Sequence, residues 1–395
     1  MKFKIKGAQL AMLLVPALAL ATPALAQGRD PTLNDSQEPG SVIVFPKFIQ
    51  GTVTLPEGGT APITELEIGI VCPKGVICPE HQSRKLRLHW VCGATEADEN
   101  TSFVCKETDF DITATVFEKI VLTPNGEAAS SSGVPNHFSP AANCPQGGGY
   151  LIAWVIDPAN DKPIKFDGLI GDAHLRPGSP VGEVGSPTAL ADYDAIPIQA
   201  DPNLKNGDPI VVNPTTGALF FDGKKGHYQA VTGQVLGDVR YTNTTTGPTF
   251  SLGVLTLLTL DVRSNRPNNP TFVDLDFFGG NPSTIGNENV LSTSTEFICW
   301  GEVPITRIDA NLTVSEMGRK GVFVSAPATK LAFTPSDGVT GPVPLLGLSE
   351  VLEGGVFPPT APWPRASFSG LFNSSVPVVG PPIPHFTPTG PILLP

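Results

Sequence analysis

The chain has 395 residues, a formal charge of −12, 41 glycines, 42 prolines and six cysteines. An acidic balance lacks the basic footprint that nucleic acid requires, so no nucleic-acid partner is expected. The length suffices for one large core or two ordinary ones. The glycines and prolines fall between alternating apolar runs, which is the punctuation of an all-β chain rather than of disorder.

Lys2, Lys4 and Lys6 precede the apolar stretch AMLLVPALALA, and Ala24-Leu25-Ala26 places small residues where a signal peptidase reads. Residues 1–26 are therefore expected to be a secretory signal. Removing three lysines and no acids takes the charge from −12 to −15. Pro16 and Pro23 interrupt the apolar run, which argues against a membrane anchor. No later stretch reaches the ~20 apolar residues of a spanning helix, so no membrane span is expected. The expected location is outside the cytoplasm of a bacterium: periplasm, outer surface or extracellular space.

Residues 27–40 are polar and turn-rich and read as an N-terminal arm. SVIVFPKF then opens the first strand. In TELEIGIV, Leu66, Ile68 and Ile70 point one way and Glu65 and Glu67 the other. In KLRLHWVC, Leu86, Leu88, Trp90 and Cys92 share a face, opposite Lys85, Arg87 and His89. A period of two is the signature of half-buried antiparallel strands. DITATVFEKIVLTPNG ends in an Asn-Gly turn signal, and GYLIAWVIDPANDKPIKFDGLIGD reads as two strands joined by a short turn. Residues 41–180 thus form a first β-sandwich region. Residues 181–216 are a loop-rich connection in which ALADYDAI is expected to be one short helix. Strands resume over residues 217–353 as a second sandwich region. From residue 354 to residue 395 a Pro-rich tail carries one charged residue, Arg365. It is expected to be an extended strap along the sheet, or a segment that docks on another subunit. No fixed-period repeat is visible, so a propeller or solenoid is not expected. The fold class is all-β, an antiparallel β-sandwich, either one large intertwined body or two consecutive sandwiches.

The six cysteines are Cys72, Cys78, Cys92, Cys105, Cys144 and Cys299. In an oxidising compartment an even number favours disulfides. Fifteen pairings exist, and the sequence does not choose among them. Loop size favours Cys72 with Cys78 and Cys92 with Cys105, the latter closing a loop worth about 3 kcal/mol. Cys144 and Cys299 then pair by elimination. A zinc site from Cys72, Cys78, His81, His89 and Cys92 is the competing reading. Its spacing fits no common finger, and His89 faces away from Cys92 on their strand.

Nucleophile elbows, zincin helices and phosphate-binding loops are missing from the sequence. No cofactor and no catalytic residue is therefore expected. Asp109 with Asp111, and Asp274 with Asp276, share strand faces at a spacing a secreted glycoside hydrolase could use. Paired acids on a strand more often form a solvated face. Asp201, Asn203, Asn206 and Asp208 offer calcium-type oxygens around a turn, although the spacing departs from an EF-hand loop and an Asx-rich turn is the simpler reading. Trp90 and Trp154 fall on apolar faces and belong in a core. Trp300, Trp363 and Tyr241 remain as exposed aromatics for a carbohydrate-binding module.

GSVIVFP (Gly40 to Pro46), GYLIA (Gly149 to Ala153) and FDGLIGD (Phe166 to Asp172) form strand motifs. In these the chain resembles a group of uncharacterised secreted bacterial β-rich proteins, over roughly residues 40–175. The resemblance implies an exported surface or matrix protein and carries no catalytic residue. The expected function is an exported structural protein acting through self-association or a protein partner, with glycan binding or carboxylate-dependent hydrolysis as alternatives.

Overall fold

The computed structural model describes residues 38–54, 58–79, 82–93, 105–126, 138–176, 191–214, 217–231, 233–241, 249–260, 271–278, 291–304, 318–325, 344–355, 365–370 and 372–373. These residues are all strand, turn and loop. No helix among them is long and apolar enough to cross a membrane.

The first unit opens with β1 (Val42–Ile49), followed by a small hairpin of β2 (Thr52–Thr54) and β3 (Thr60–Pro62). It continues with β4 (Thr64–Ile70), β5 (Ser83–Cys92), β6 (Glu107–Thr115), β7 (Lys119–Leu122), β8 (Gly148–Ile156), β9 (Leu169–Leu175), β10 (Ala191–Asp194) and β11 (Ile196–Ile198). One sheet has the order β11-β1-β8-β5-β6 and the other β10-β9-β4-β7. Ile43, Phe45, Leu66, Ile68, Leu86, Leu88 and Trp90 fill the space between them. These are the alternate positions that the period of two assigns to one face.

The second unit comprises β12 (Gln234–Tyr241), β13 (Thr249–Thr259), β14 (Thr271–Phe278), β15 (Leu291–Phe297), β16 (Trp300–Pro304), β17 (Gly318–Ser325), β18 (Leu345–Gly355), β19 (Arg365–Gly370) and β20 (Phe372–Asn373). Its sheets run β15-β14-β17-β12-β20 and β16-β13-β18-β19. Set the β2–β3 hairpin aside and let β12 stand for β1, β13 for β4, and so on to β20 for β11. All seven strand pairings of the first unit then recur in the second. The chain is therefore a tandem repeat of one nine-strand sandwich. A faint sequence trace survives near the end of the units: GLIGDA at 168–173 against PLLGLS at 344–349.

Two expectations are corrected here. ALADYDAI is not a helix where it is described: residues 191–194 and 196–198 are edge strands β10 and β11. The alternation of Asp192, Tyr193 and Asp194 has a period of two, and Tyr193 turns inward, 5% exposed. Described residues of the tail are not a strap across a sheet face. Residues 365–370 pair with β18 and residues 372–373 with β12, each extending a sheet at its edge. The signal segment and the arm up to residue 37 lie outside the described residues, as does the tail beyond residue 373.

The five-stranded sheet of the first unit is covered on its outer face too. Val42, Val44, Tyr150, Ile152 and Trp154 pack under residues from the 199–231 segment, including Ala200, Ile210, Tyr228 and Val231. Leu258, Ile298, Trp300 and Leu346 of the second unit complete the same cluster. The units are thus joined through a core as well as by the chain. The Trp300 indole N–H donates to the Pro46 carbonyl at 2.9 Å, and the Tyr150 hydroxyl donates to the Thr259 carbonyl at 3.0 Å. Lys47 is 3% exposed and lies 2.5 Å from Glu350 and 2.6 Å from Glu302, both of the second unit.

The disulfides are Cys72–Cys78, Cys92–Cys144 and Cys105–Cys299, with Cα separations of 5.8, 5.1 and 5.9 Å. The first pairing matches the loop-size argument, and the other two correct it. Cys92 faces the inner core of the first unit, whereas Cys105 lies in the cluster on the outer face of the same sheet. A bridge cannot join two side chains on opposite faces of a sheet. Cys105 instead reaches Cys299 and ties the two units together.

Candidate functional site

Opposite residues on neighbouring strands share a face, so the registers define the outward face of β10-β9-β4 directly. One row is Glu65, His174 and Asp192, and the next is Glu67, Asp172 and Asp194. Their neighbours in sequence, Leu66, Ala173 and Tyr193, belong to the core. The face therefore brings five carboxylates and one imidazole onto three adjacent strands. Arg176 pairs with Glu65 at 3.2 Å and Lys119 with Glu67 at 2.8 Å. His174 Nδ1 lies 2.7 Å from Asp192. Asp172 faces Asp194 directly across the strands. Partial burial and the hydrogen bond that its protonated carboxyl donates to the Asp194 carboxylate push its pKa up.

A raised folded-state pKa means that protonated Asp172 stabilises the fold. That contribution is full below the ordinary aspartate range and is lost as pH rises through the folded value. Asp172→Asn is therefore expected to raise stability at neutral pH by about 0.2–1 kcal/mol, the scale of one cross-strand like-charge contact. The gain should shrink towards zero in acid. Urea unfolding of both proteins at neutral and acid pH checks this, and an equal effect at the two values would rule it out.

A second feature is an open groove of about 610 Å³ lined by Lys74, Lys165, Asp167, Gln199, Asn206 and Gln229, among others. Asp167 accepts hydrogen bonds from the Ser41 hydroxyl at 2.6 Å and the Ala200 amide at 3.0 Å, with Lys165 3.3 Å away. It ties the start of β1 to the end of β11. The Asn206 side-chain oxygen, at the groove wall, has no hydrogen-bond donor among the described residues. The loop proposed for calcium forms one side of this groove. Its carboxylates turn towards backbone N–H groups: Asp201 accepts from Asn203 and Gly226, and Asp208 accepts from the Lys205 amide. These bonds hold Asp201 below the ordinary carboxylate range against the opposing effect of burial. The arrangement is a set of Asx turns.

The other residues singled out from the sequence are dispersed. Cys72 and Cys78 are joined to each other, His81 lies outside the described residues, and His89 turns away from Cys92. The zinc set is therefore not assembled. Asp109 and Asp111 do share a face, but Asp111 pairs with Arg87 at 2.9 Å and Lys85 at 3.0 Å. Asp274 sits opposite Ser294 on β15, and the Asp276 side chain is outside the described set. Trp90 and Trp154 are buried, as their strand phases require. Trp300 is 6% exposed in the junction between units, so it offers no platform for a sugar. Trp363 and the Tyr241 side chain lie outside the described residues.

One cluster was missed. His89 Nδ1 lies 3.0 Å from Asp109 and 3.3 Å from Glu107. The three ligand atoms fall within 4.8 Å of one another. The signal was present in the sequence: Glu107, Asp109 and His89 are all in the outward phase of paired strands.

No family model matches the chain, and no curated protein matches it. Among solved structures, a chain from the crystal structure of the T13 viral particle of IBDV is similar at 12% identity, over 86% of this chain and 74% of that one. Its TM-score of 0.12 is too low to bear on the fold.

Proposed function

We propose that the protein is an exported structural component of a bacterial surface or matrix, acting through contact with itself or a protein partner rather than through catalysis. What carries this reading is the junction between the repeated units. A disulfide, a buried Lys47–Glu302–Glu350 cluster and a shared apolar cluster hold the two sandwiches in one orientation. Such a body presents its outward faces at fixed spacing, which suits assembly. The disulfides suit an oxidising compartment.

The reading is tested on protein recovered from the producing cells. Sedimentation velocity over a wide concentration range should show association, or fractionation should place the protein with the cell envelope. A strictly monomeric species confined to the soluble fraction would sink it.

A glycan ligand is the second reading, favoured by the amides of Gln199, Asn206 and Gln229 in the groove. Glycan-array binding that disappears in Asn206→Ala would support it.

A further inference from the structure

We propose that the outward face of β4, β9 and β10 is a docking surface for a lysine- or arginine-rich protein segment. This rests on the reading that the protein works through protein contacts, and it names the surface and the chemistry of the partner.

The argument comes from the repeat. The counterparts of β4, β9 and β10 are β13, β18 and β19, and the counterpart of β7 is β16. In the second unit, opposite pairs place Thr256, Leu258, Trp300, Glu302 and Leu348 on the face turned away from Leu255 and Leu257. That face is occupied by the neighbouring sandwich. It holds the Lys47 ammonium between Glu302 and Glu350, and Leu348 joins the core of the first unit. The same face of the same fold is thus already a protein-binding surface, with lysine as its ionic anchor.

In the first unit, the β9 and β10 part of that face remains accessible, whereas Glu65 on β4 is 6% exposed. The Asp192 side chain is 61% exposed, and Ile170 in the row beyond Asp172 is 42% exposed. It carries more carboxylates than its counterpart but at other positions, since Glu302 and Glu350 correspond in register to Val121 and His174. Five carboxylates stand against Arg176, Lys119 and His174, and Glu67, Asp172 and Asp194 lie directly opposite one another across three strands. Like charges in such positions repel and destabilise the face. A partner carrying cations relieves that repulsion on binding, and a complementary potential steers its approach.

The geometry favours an extended basic segment over a metal ion. Among the described residues, the group of His, Cys, Asp and Glu close enough to hold a metal is His89, Glu107 and Asp109, on a different sheet. The carboxylates of β4, β9 and β10 are instead spread in rows. A second copy of this chain is disfavoured as the cation donor by its net charge of −12.

The test uses the full mature chain and a fluorescent octalysine peptide, read by anisotropy across a salt series. Three proteins are compared: wild type, Asp172→Asn/Asp192→Asn/Asp194→Asn, and a control that removes the same charge elsewhere, Glu38→Gln/Glu107→Gln/Asp109→Asn. Near-UV circular dichroism confirms that each is folded. The proposal expects affinity to fall about tenfold or more in the face variant and less than about threefold in the control, with a shallower salt dependence only in the former. Equal losses in both variants would reduce the effect to bulk charge and overturn it, as would undetectable binding to wild type. Saturable calcium binding abolished by the face variant, with peptide binding unchanged, would also overturn it. None of these outcomes depends on whether the protein self-associates, which the sedimentation experiment reads separately.

Discussion

Lys47→Met is expected to destabilise the protein by about 3–5 kcal/mol, the usual scale for removing one partner from a buried ionic cluster. Burial by itself would drive the Lys47 ammonium towards neutrality. The Glu350 and Glu302 carboxylates outweigh that and raise its pKa above the ordinary lysine value. The contribution is full below the lysine pKa of the unfolded chain and is lost only as pH climbs through the folded value. Without the ammonium, Glu350 is left in a nearly dry site with an 8% exposed side chain, whereas Glu302, at 32%, can turn to water. A second variant separates charge from packing. Lys47→Met combined with Glu350→Leu removes both dry charges and should return to within about 1–2 kcal/mol of wild type, because apolar replacement of a buried pair is often neutral. Urea unfolding midpoints report both values. A Lys47→Met cost below about 1 kcal/mol would mean that the cluster is solvated and not a structural tie.

Cys105→Ser with Cys299→Ser is expected to lose the most of the three disulfide deletions. The bridge spans 194 residues, against 52 for Cys92–Cys144 and 6 for Cys72–Cys78. In the chain-entropy model these loops correspond to about 5, 4 and 2 kcal/mol. The distinguishing result concerns cooperativity. Wild type should melt in one calorimetric transition, because the units share a cluster and a covalent tie. The double-serine variant should melt in two, one per sandwich, and adding Lys47→Met should move them further apart. A single transition in all variants would show that the shared cluster around Tyr150, Trp300 and Leu346 suffices by itself.

The β4 part of the acidic face was readable in the strand phases, whereas Asp192 and Asp194 fall in the segment expected to be a helix. Glu65 and Glu67 were assigned to the face opposite Leu66 and Ile68, and they stand there. Cys105 shows how a present signal was outweighed. Extending the alternation of Glu107, Asp109 and Asp111 back by two residues puts Cys105 on the outward face, away from Cys92, which is in phase with Leu86, Leu88 and Trp90. Loop length suggested the opposite, and loop length is the weaker constraint because closure entropy changes slowly with size. Trp300 looked available for a sugar because its neighbours give no clear alternation. Its burial comes from Gly93 and Gly148 in the other unit, whose missing side chains leave room for the indole.

The repeat could not be seen from residues. A sandwich requires only that alternate positions be apolar, so two copies can keep every strand pairing while almost all identities drift. GLIGDA and PLLGLS share Leu169 with Leu345 and Gly171 with Gly347 and little else. The sequence by itself determined that this chain is all-β, where most of its strands lie, and which way their side chains point, because the period of two is local. Only the tertiary structure decided which cysteines meet, that nine strands recur in the same order, and that Lys47 is gripped by two glutamates far along the chain. Those contacts depend on which faces come together, and strand pairing between distant segments leaves no mark on local periodicity.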